Sequence, residues 1–227
     1  MRHSVFRGVI FDLDGTLIDS LRDIAEAANK ALAGEGLPPH ELDEYRYLVG
    51  EGVQILMERA IPRALQTPEV VKRCMERFRT HYQQGWHVHT RPYPGVEQLL
   101  EQLRQRQIPT AVLSNKPHDF TQMCVARFFP SHAFRVVLGV REGATRKPDP
   151  AGALWIGEQL GIESHQLVFL GDTRIDMLTA RAAGMLPVGA SWGFRETHEL
   201  IEAGAVRVLD RPLDLLELLD NHCHMEA

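Results

Sequence analysis

The chain has 227 residues, 44% of them apolar and 24% charged, which excludes a disordered or fibrous chain and suits one large domain or one carrying an insert. Its 25 Lys and Arg against 30 Asp and Glu leave −5, so no basic field is expected to draw nucleic acid or an anionic membrane. Cys74, Cys124 and Cys223 lack paired metal spacing, Asp12 interrupts the N-terminal apolar run too early for a signal peptide, and no uncharged run approaches membrane length; the expectation is a soluble, reduced, cytoplasmic protein.

In chain order, Val5–Phe11 is a short β-rich run ending in Asp12-Leu13-Asp14-Gly15-Thr16. The next such run, Thr110–Leu113, lies farther away than one crossover helix requires. The interval reads as helical. Asp19 is placed to cap a helix with Leu21, Ile24, Ala25, Ala28, Ala31 and Leu32 on one face, stopped by Gly34 and Gly36. A short Glu41–Leu48 segment, the Gly50-Glu51-Gly52 turn and Val53–Ile61 follow. Thr67-Pro68-Glu69 then starts a helix whose inner face is Val70, Val71, Cys74, Met75 and Phe78. Residues 18–90 are therefore predicted to be an inserted helical cap, with 1–17 and 91–227 forming the core.

Within that core, apolar runs recur at Val136–Leu138, Leu167–Leu170, Leu186–Val188 and, more weakly, Val206–Leu209. They are nearly continuous rather than alternating, as in strands buried on both faces. Helical stretches at Val96–Arg106, Asp119–Phe128, Ala151–Leu160, Asp176–Ala183 and Thr197–Ala203 separate them. The rhythm predicts an α/β fold: a doubly wound, mostly parallel, Rossmann-like sheet.

Ligands of such sheets sit outside the carboxyl ends of the strands. There the sequence places Asp12, Asp14 and Thr16, then Ser114 and Asn115, then Lys147, then Asp172 after Gly171. Carboxylates gathered this closely repel unless a cation joins them, and hard oxygen donors favour magnesium. Ser114 and Lys147 supply a hydrogen-bond donor and a positive charge suited to a phosphate. A carboxylate beside both is able to attack phosphorus and carry an aspartyl-phosphate. Singly, each residue has an ordinary role as turn former, helix cap or surface charge. Together at four strand ends they do not. His87-x-His89 and His222-Cys223-His224 have spacings compatible with a transition metal, but the first falls in the return linker and the second in the C-terminal tail. Cys74 and Cys124 read as core residues.

Asp12-Leu13-Asp14-Gly15-Thr16, Ser114-Asn115, Lys147-Pro148 and Gly171-Asp172-x-x-x-Asp176 resemble, in order, the four motifs of the haloacid dehalogenase-like phosphohydrolases. The helical insert resembles the family's first type of cap. Arg46, Val49-Gly50-Glu51-Gly52-Val53, Leu56–Ala60 and Trp192-Gly193-Phe194 are similar to segments of its phosphoglycolate phosphatases. The resemblance implies Asp12 as nucleophile and Asp14 as general acid, then base. It implies Asp12, the Asp14 main-chain carbonyl and Asp172 as Mg2+ ligands, with Asp176 behind them orienting Lys147 or a metal-bound water. Ser114, Asn115 and Lys147 would bind the phosphoryl group, and Arg46 a substrate carboxylate. Ile175 departs from the polar or aromatic residue that many relatives carry there.

The expected partner is a small phosphorylated metabolite, 2-phosphoglycolate first, with a monomer and a homodimer both open. The alternative is a phosphosugar mutase or sugar-phosphate phosphatase of the same superfamily. Dehalogenases do not need an acid at Asp14, and phosphonate-cleaving relatives would carry a cap lysine and an altered first motif. A phosphorylation-switched receiver module would be shorter and lack the insert, and no G-x-x-x-x-G-K-[ST] marks a kinase.

Overall fold

A computed structural model describes residues 6–221. The chain divides into two compact units, one of Met1–Leu17 with Pro92–Ala227, the other of Ile18–Arg91. Strand β1 (Gly8–Phe11) opens the first. The second begins with β2 (Ile18–Asp19) and contains α1 (Leu21–Ala33), α2 (Tyr45–Leu48), α3 (Val53–Ala60) and α4 (Pro68–Gly85). After β3 (Arg91–Pro92) the first unit resumes with α5 (Val96–Gln105), β4 (Thr110–Pro117), α6 (His118–Phe128), β5 (Val136–Val140) and α7 (Ala151–Leu160). It continues with β6 (Leu167–Gly171), α8 (Arg174–Ala182), β7 (Leu186–Ala190), α9 (Thr197–Glu202), β8 (Arg207–Leu209) and α10 (Asp214–Asn221).

The six longer strands form one sheet in the order β5-β4-β1-β6-β7-β8, every neighbouring pair parallel. This is the predicted α/β architecture. Every residue of β1 and β6 is buried, which explains their unbroken apolar runs. Crossovers run outward from β1 in both directions, so right-handed connections put helices on both faces. On one face Ile10, Leu113, Leu167 and Phe169 pack with Ala153, Ile156 and Ala180 of the flanking helices. Helix α5 buries Val96, Leu99, Leu100 and Leu103, the i, i+3, i+4, i+7 stripe of an amphipathic helix. Phe11 is level with Val112 of β4 and Leu170 of β6, so β1 ends one residue short of β6 while β4 runs on to Pro117.

In the helical unit, α1 packs against α4, with the predicted α1 stripe of Leu21, Ile24, Ala25, Ala28, Ala31 and Leu32 buried. Its N-cap is Ser20 rather than Asp19, although the Leu21 N–H still donates to Asp19 Oδ1 at 3.3 Å. Thr67 caps α4 as its sequence suggests, accepting from the Val70 N–H. The inner face of α4 is Val71, Cys74, Phe78 and Tyr82, while Val70 and Met75 lie half-buried at its flanks. Buried Asp23 fixes the end of the unit by accepting from the His89 and Thr90 N–H groups and the Thr90 hydroxyl. Among the described residues no helix is long and apolar enough to cross a membrane.

Candidate active site

Asp12 directly follows β1, held by its N–H donating to Leu170 O at 2.9 Å. The chain then turns as the Thr16 and Leu17 N–H groups both reach back to Leu13 O. That turn requires glycine at position 15 twice over. Its φ is +89°, and a Cβ would lie 2.2 Å from Asp172 Oδ2. A Cβ on Gly193 would fall 2.2 Å from Asp172 Cβ and 2.5 Å from Gly15 O. Two glycine backbones thus approach Asp172 closely. Its Oδ1 accepts from the Thr16 hydroxyl at 2.9 Å and its Oδ2 from the Phe194 N–H at 2.8 Å. Trp192 closes the wall, its indole N–H donating to Thr16 O at 3.0 Å.

Lys147 lies between two carboxylates, its Nζ 2.8 Å from Asp12 Oδ1 and 2.6 Å from Asp176 Oδ1. Its main chain is clamped by Asn115, whose amide donates to Lys147 O and whose Oδ1 accepts from the Lys147 N–H. Asp176 has a second task. Its Oδ2 accepts from the Thr173 N–H and hydroxyl, closing a capping box at the start of α8. Asp176 thus serves the start of α8 with one oxygen and Lys147 with the other. Ser114 is buried on β4, its Oγ accepting from the Lys116 N–H at 3.3 Å. The β4–β5 register shifts between Leu113 and Pro117, an irregularity of the kind that re-aims side chains.

The electrostatics are strained in one direction. Burial pushes the Asp12 carboxyl up to about 7; the Lys147 charge opposes this, and the charges of Asp176 and Asp14 reinforce it. Burial and the charges of Asp176 and Asp12 also hold Asp172 well above the ordinary carboxylate range, against the bonds from Phe194 and Thr16. Burial alone would lower Lys147, but Asp12 and Asp176 raise it, so it stays cationic. Oxygens of Asp12, Asp172 and Asp176 all lie within 4.8 Å of one another. A hard, oxygen-only, buried donor set facing a single lysine fits a small divalent cation, which would relieve the repulsion.

The structure thus brings Asp12, Asp14, Ser114, Asn115, Lys147, Asp172 and Asp176 to one end of the sheet. Arg46 lies on α2 of the helical unit, its Nε 3.6 Å from Asp43 Oδ1. His87 and His89 are not in the metal-compatible cluster; the His89 N–H serves Asp23 instead. His222, Cys223 and His224 lie outside the described residues. Sequence reasoning missed Lys116, whose Nζ lies 2.8 Å from both Asp14 oxygens. It also gave the Thr16 and Thr173 hydroxyls and the Phe194 N–H no role.

Acidic, hydroxyl and lysine groups gathered above a parallel sheet suit the handling of a phosphoryl group. Residues 9–190 match the model of the haloacid dehalogenase-like hydrolases, and the chain belongs to that family. It is 31% identical over 217 residues to phosphoglycolate phosphatase 1 of Pseudomonas aeruginosa, covering 94% of this chain and 80% of that one. It is 34% identical over 220 residues to the phosphoglycolate phosphatase of Haemophilus influenzae, covering 94% and 98%. The solved structure of a predicted phosphoglycolate phosphatase from Haemophilus somnus matches with a TM-score of 0.88 at 29% identity, over 95% of this chain and 98% of that one. The chain is a phosphoric monoester hydrolase of this family.

Proposed function

We propose that the protein is a magnesium-dependent phosphatase that hydrolyses 2-phosphoglycolate through an aspartyl-phosphate on Asp12. The observation that carries this reading is the Asp12 carboxylate itself. It is only 6% exposed, paired with Lys147, and within shared-ligand distance of Asp172. The substrate is supported by the names of the relatives and by its chemistry, a phosphate and a carboxylate on one small carbon frame.

In the first half-reaction an Asp12 oxygen attacks phosphorus, the bond to the ester oxygen breaks, and Asp14 gives that oxygen its proton. In the second, water passes a proton to Asp14 and attacks the same phosphorus. The bond to Asp12 breaks, and inorganic phosphate and the free carboxylate are restored. Lys147 offsets the charge that builds on the phosphoryl oxygens, and Ser114 donates its hydroxyl proton to one of them. Asn115 acts beside them, by contact with the phosphate and by its grip on the main chain of Lys147. Asp12, the Asp14 carbonyl and Asp172 would hold Mg2+, with Asp176 behind them. Such an ion would supply Lewis-acid charge to the phosphoryl group.

The test is phosphate release over a panel of 2-phosphoglycolate, sugar phosphates and nucleotides, with Mg2+ and with chelator. The expected result is Mg2+-dependent release, greatest with 2-phosphoglycolate, together with a phosphorylated Asp12 found by mass spectrometry after quenching. Isomerised sugar phosphate without release would identify a mutase instead.

A further inference from the structure

Lys116 belongs to none of the four motifs, yet it is buried at the site and ion-paired with Asp14. It follows Ser114 by two residues where the β4–β5 register shifts, and its backbone is fixed on several sides. Its N–H donates to Ser114 Oγ, its carbonyl accepts from the Thr121 hydroxyl, and the carbonyl lies where a Cβ on Gly139 would come within 2.6 Å. The side chain is 5% exposed, whereas that of its partner Asp14 is 18% exposed. The ammonium is the more buried end of the pair.

We propose that Lys116 is a positioning residue that holds the Asp14 carboxyl over the reacting phosphorus through both half-reactions. Its Nζ lies 2.8 Å from Oδ1 and from Oδ2. A symmetric grip lets either oxygen turn to the leaving group or to water while the other stays held. One carboxyl is thereby kept in place to give a proton in the first step and take one in the second. Asp14 directly precedes the Gly15 turn, and the pair ties it to a residue 102 positions away in sequence. The proposal rests on the reading of Asp14 as acid and base.

The experiment uses the Mg2+-loaded enzyme and four forms: wild type, Asp14→Asn, Lys116→Met and the double variant. Two rates are followed, steady turnover of 2-phosphoglycolate and the first-turnover burst of nitrophenol from p-nitrophenyl phosphate, whose leaving group needs no acid. Displacing Asp14 should slow 2-phosphoglycolate turnover in Lys116→Met by about 10²-fold and the nitrophenol burst by under about threefold. The double variant should be no slower than Asp14→Asn alone, because Lys116 acts through Asp14. Equal loss on both substrates, or losses that add in the double variant, would show that Lys116 touches the phosphoryl group and would overturn the proposal alone. If Asp14→Asn itself shows no dependence on the leaving group, the acid–base reading fails and this proposal falls with it. Should Lys116→Met not fold, Lys116→Gln takes its place, with the same selective loss expected and an unselective one overturning the proposal.

Discussion

At the scale of the residue, the site is built by crowding acids and then constraining them. Asp12→Asn should reduce turnover to background while the melting curve stays cooperative, since the amide fits the same space but cannot attack phosphorus. Gly193→Ala should cost about tenfold or more in activity and abolish the rise in Tm that Mg2+ produces, because its Cβ meets the Asp172 Cβ and a main-chain oxygen, neither a flexible tip. An unchanged Mg2+ response in that variant would remove the glycine from the site. The raised carboxyls also set a pH dependence. With Asp12 moved from 3.8 to about 7, the folded metal-free protein keeps a proton that the unfolded chain has already lost. Its stability should therefore fall as pH rises from about 4 through 7. Cation binding needs the ionised carboxylates, so Mg2+ should raise Tm more at pH 8 than at pH 5. Melts in chelator that stay flat across this window would contradict the assignment. The acids, Ser114 and Lys147 were legible because each follows an apolar run directly or by a short loop. Lys116 was not. A lysine after a strand is ordinarily solvated, and only its contact with a carboxylate 102 residues earlier marks it.

At the scale of the element, the capping box of α8 joins helix stability to the site through one side chain. Thr173→Val removes the hydroxyl that Asp176 Oδ2 accepts from, which should cost about 1 kcal/mol. For a chain of this size that lowers Tm by roughly 2–4 °C. It should also lower kcat, because Asp176 is the second carboxylate on Lys147, and Thr173→Ser should restore both. A fall in Tm with kcat unchanged would confine Thr173 to capping. Strands buried on both faces could be read directly, since hydropathy and hydrogen bonding coincide in β1 and β6. They part company in β4. There the apolar run ends at Leu113 while the strand continues to Pro117, because Ser114, Asn115 and Lys116 satisfy their polar groups inside the protein. Helix α8 likewise begins two residues before Asp176, since its start is set by the cap at Thr173 rather than by an apolar stripe. Strands β2 and β3 have two residues each and carry no periodicity. Helix α10 did offer a signal, with Leu215, Leu218 and Leu219 at helical spacing and buried.

At the scale of the whole molecule, the groups proposed for the chemistry lie in one unit and the one proposed for substrate choice in the other. Every group proposed to act on phosphorus lies in Met1–Leu17 or Pro92–Ala227, and all would treat any monoester alike. Discrimination must then come from groups that address the organic part, and Arg46 in Ile18–Arg91 is the one proposed for a carboxylate. Its side chain is 43% exposed and its Asp43 neighbour 92% exposed, so that ion pair is a weak competitor for the guanidinium. A charge-assisted bond to a substrate carboxylate contributes about 1.5–3 kcal/mol. Arg46→Ala should therefore lower kcat/KM for 2-phosphoglycolate by about ten- to a hundredfold. Ethyl phosphate, a similar frame without the carboxylate, never uses the contact and should lose less than about twofold. Comparing the two substrates within one variant cancels any general loss of folding or metal, since such a loss scales both equally. Parallel losses would take Arg46 out of substrate recognition while leaving the phosphatase assignment intact. A selective loss would place the preference for an acidic substrate in the helical unit.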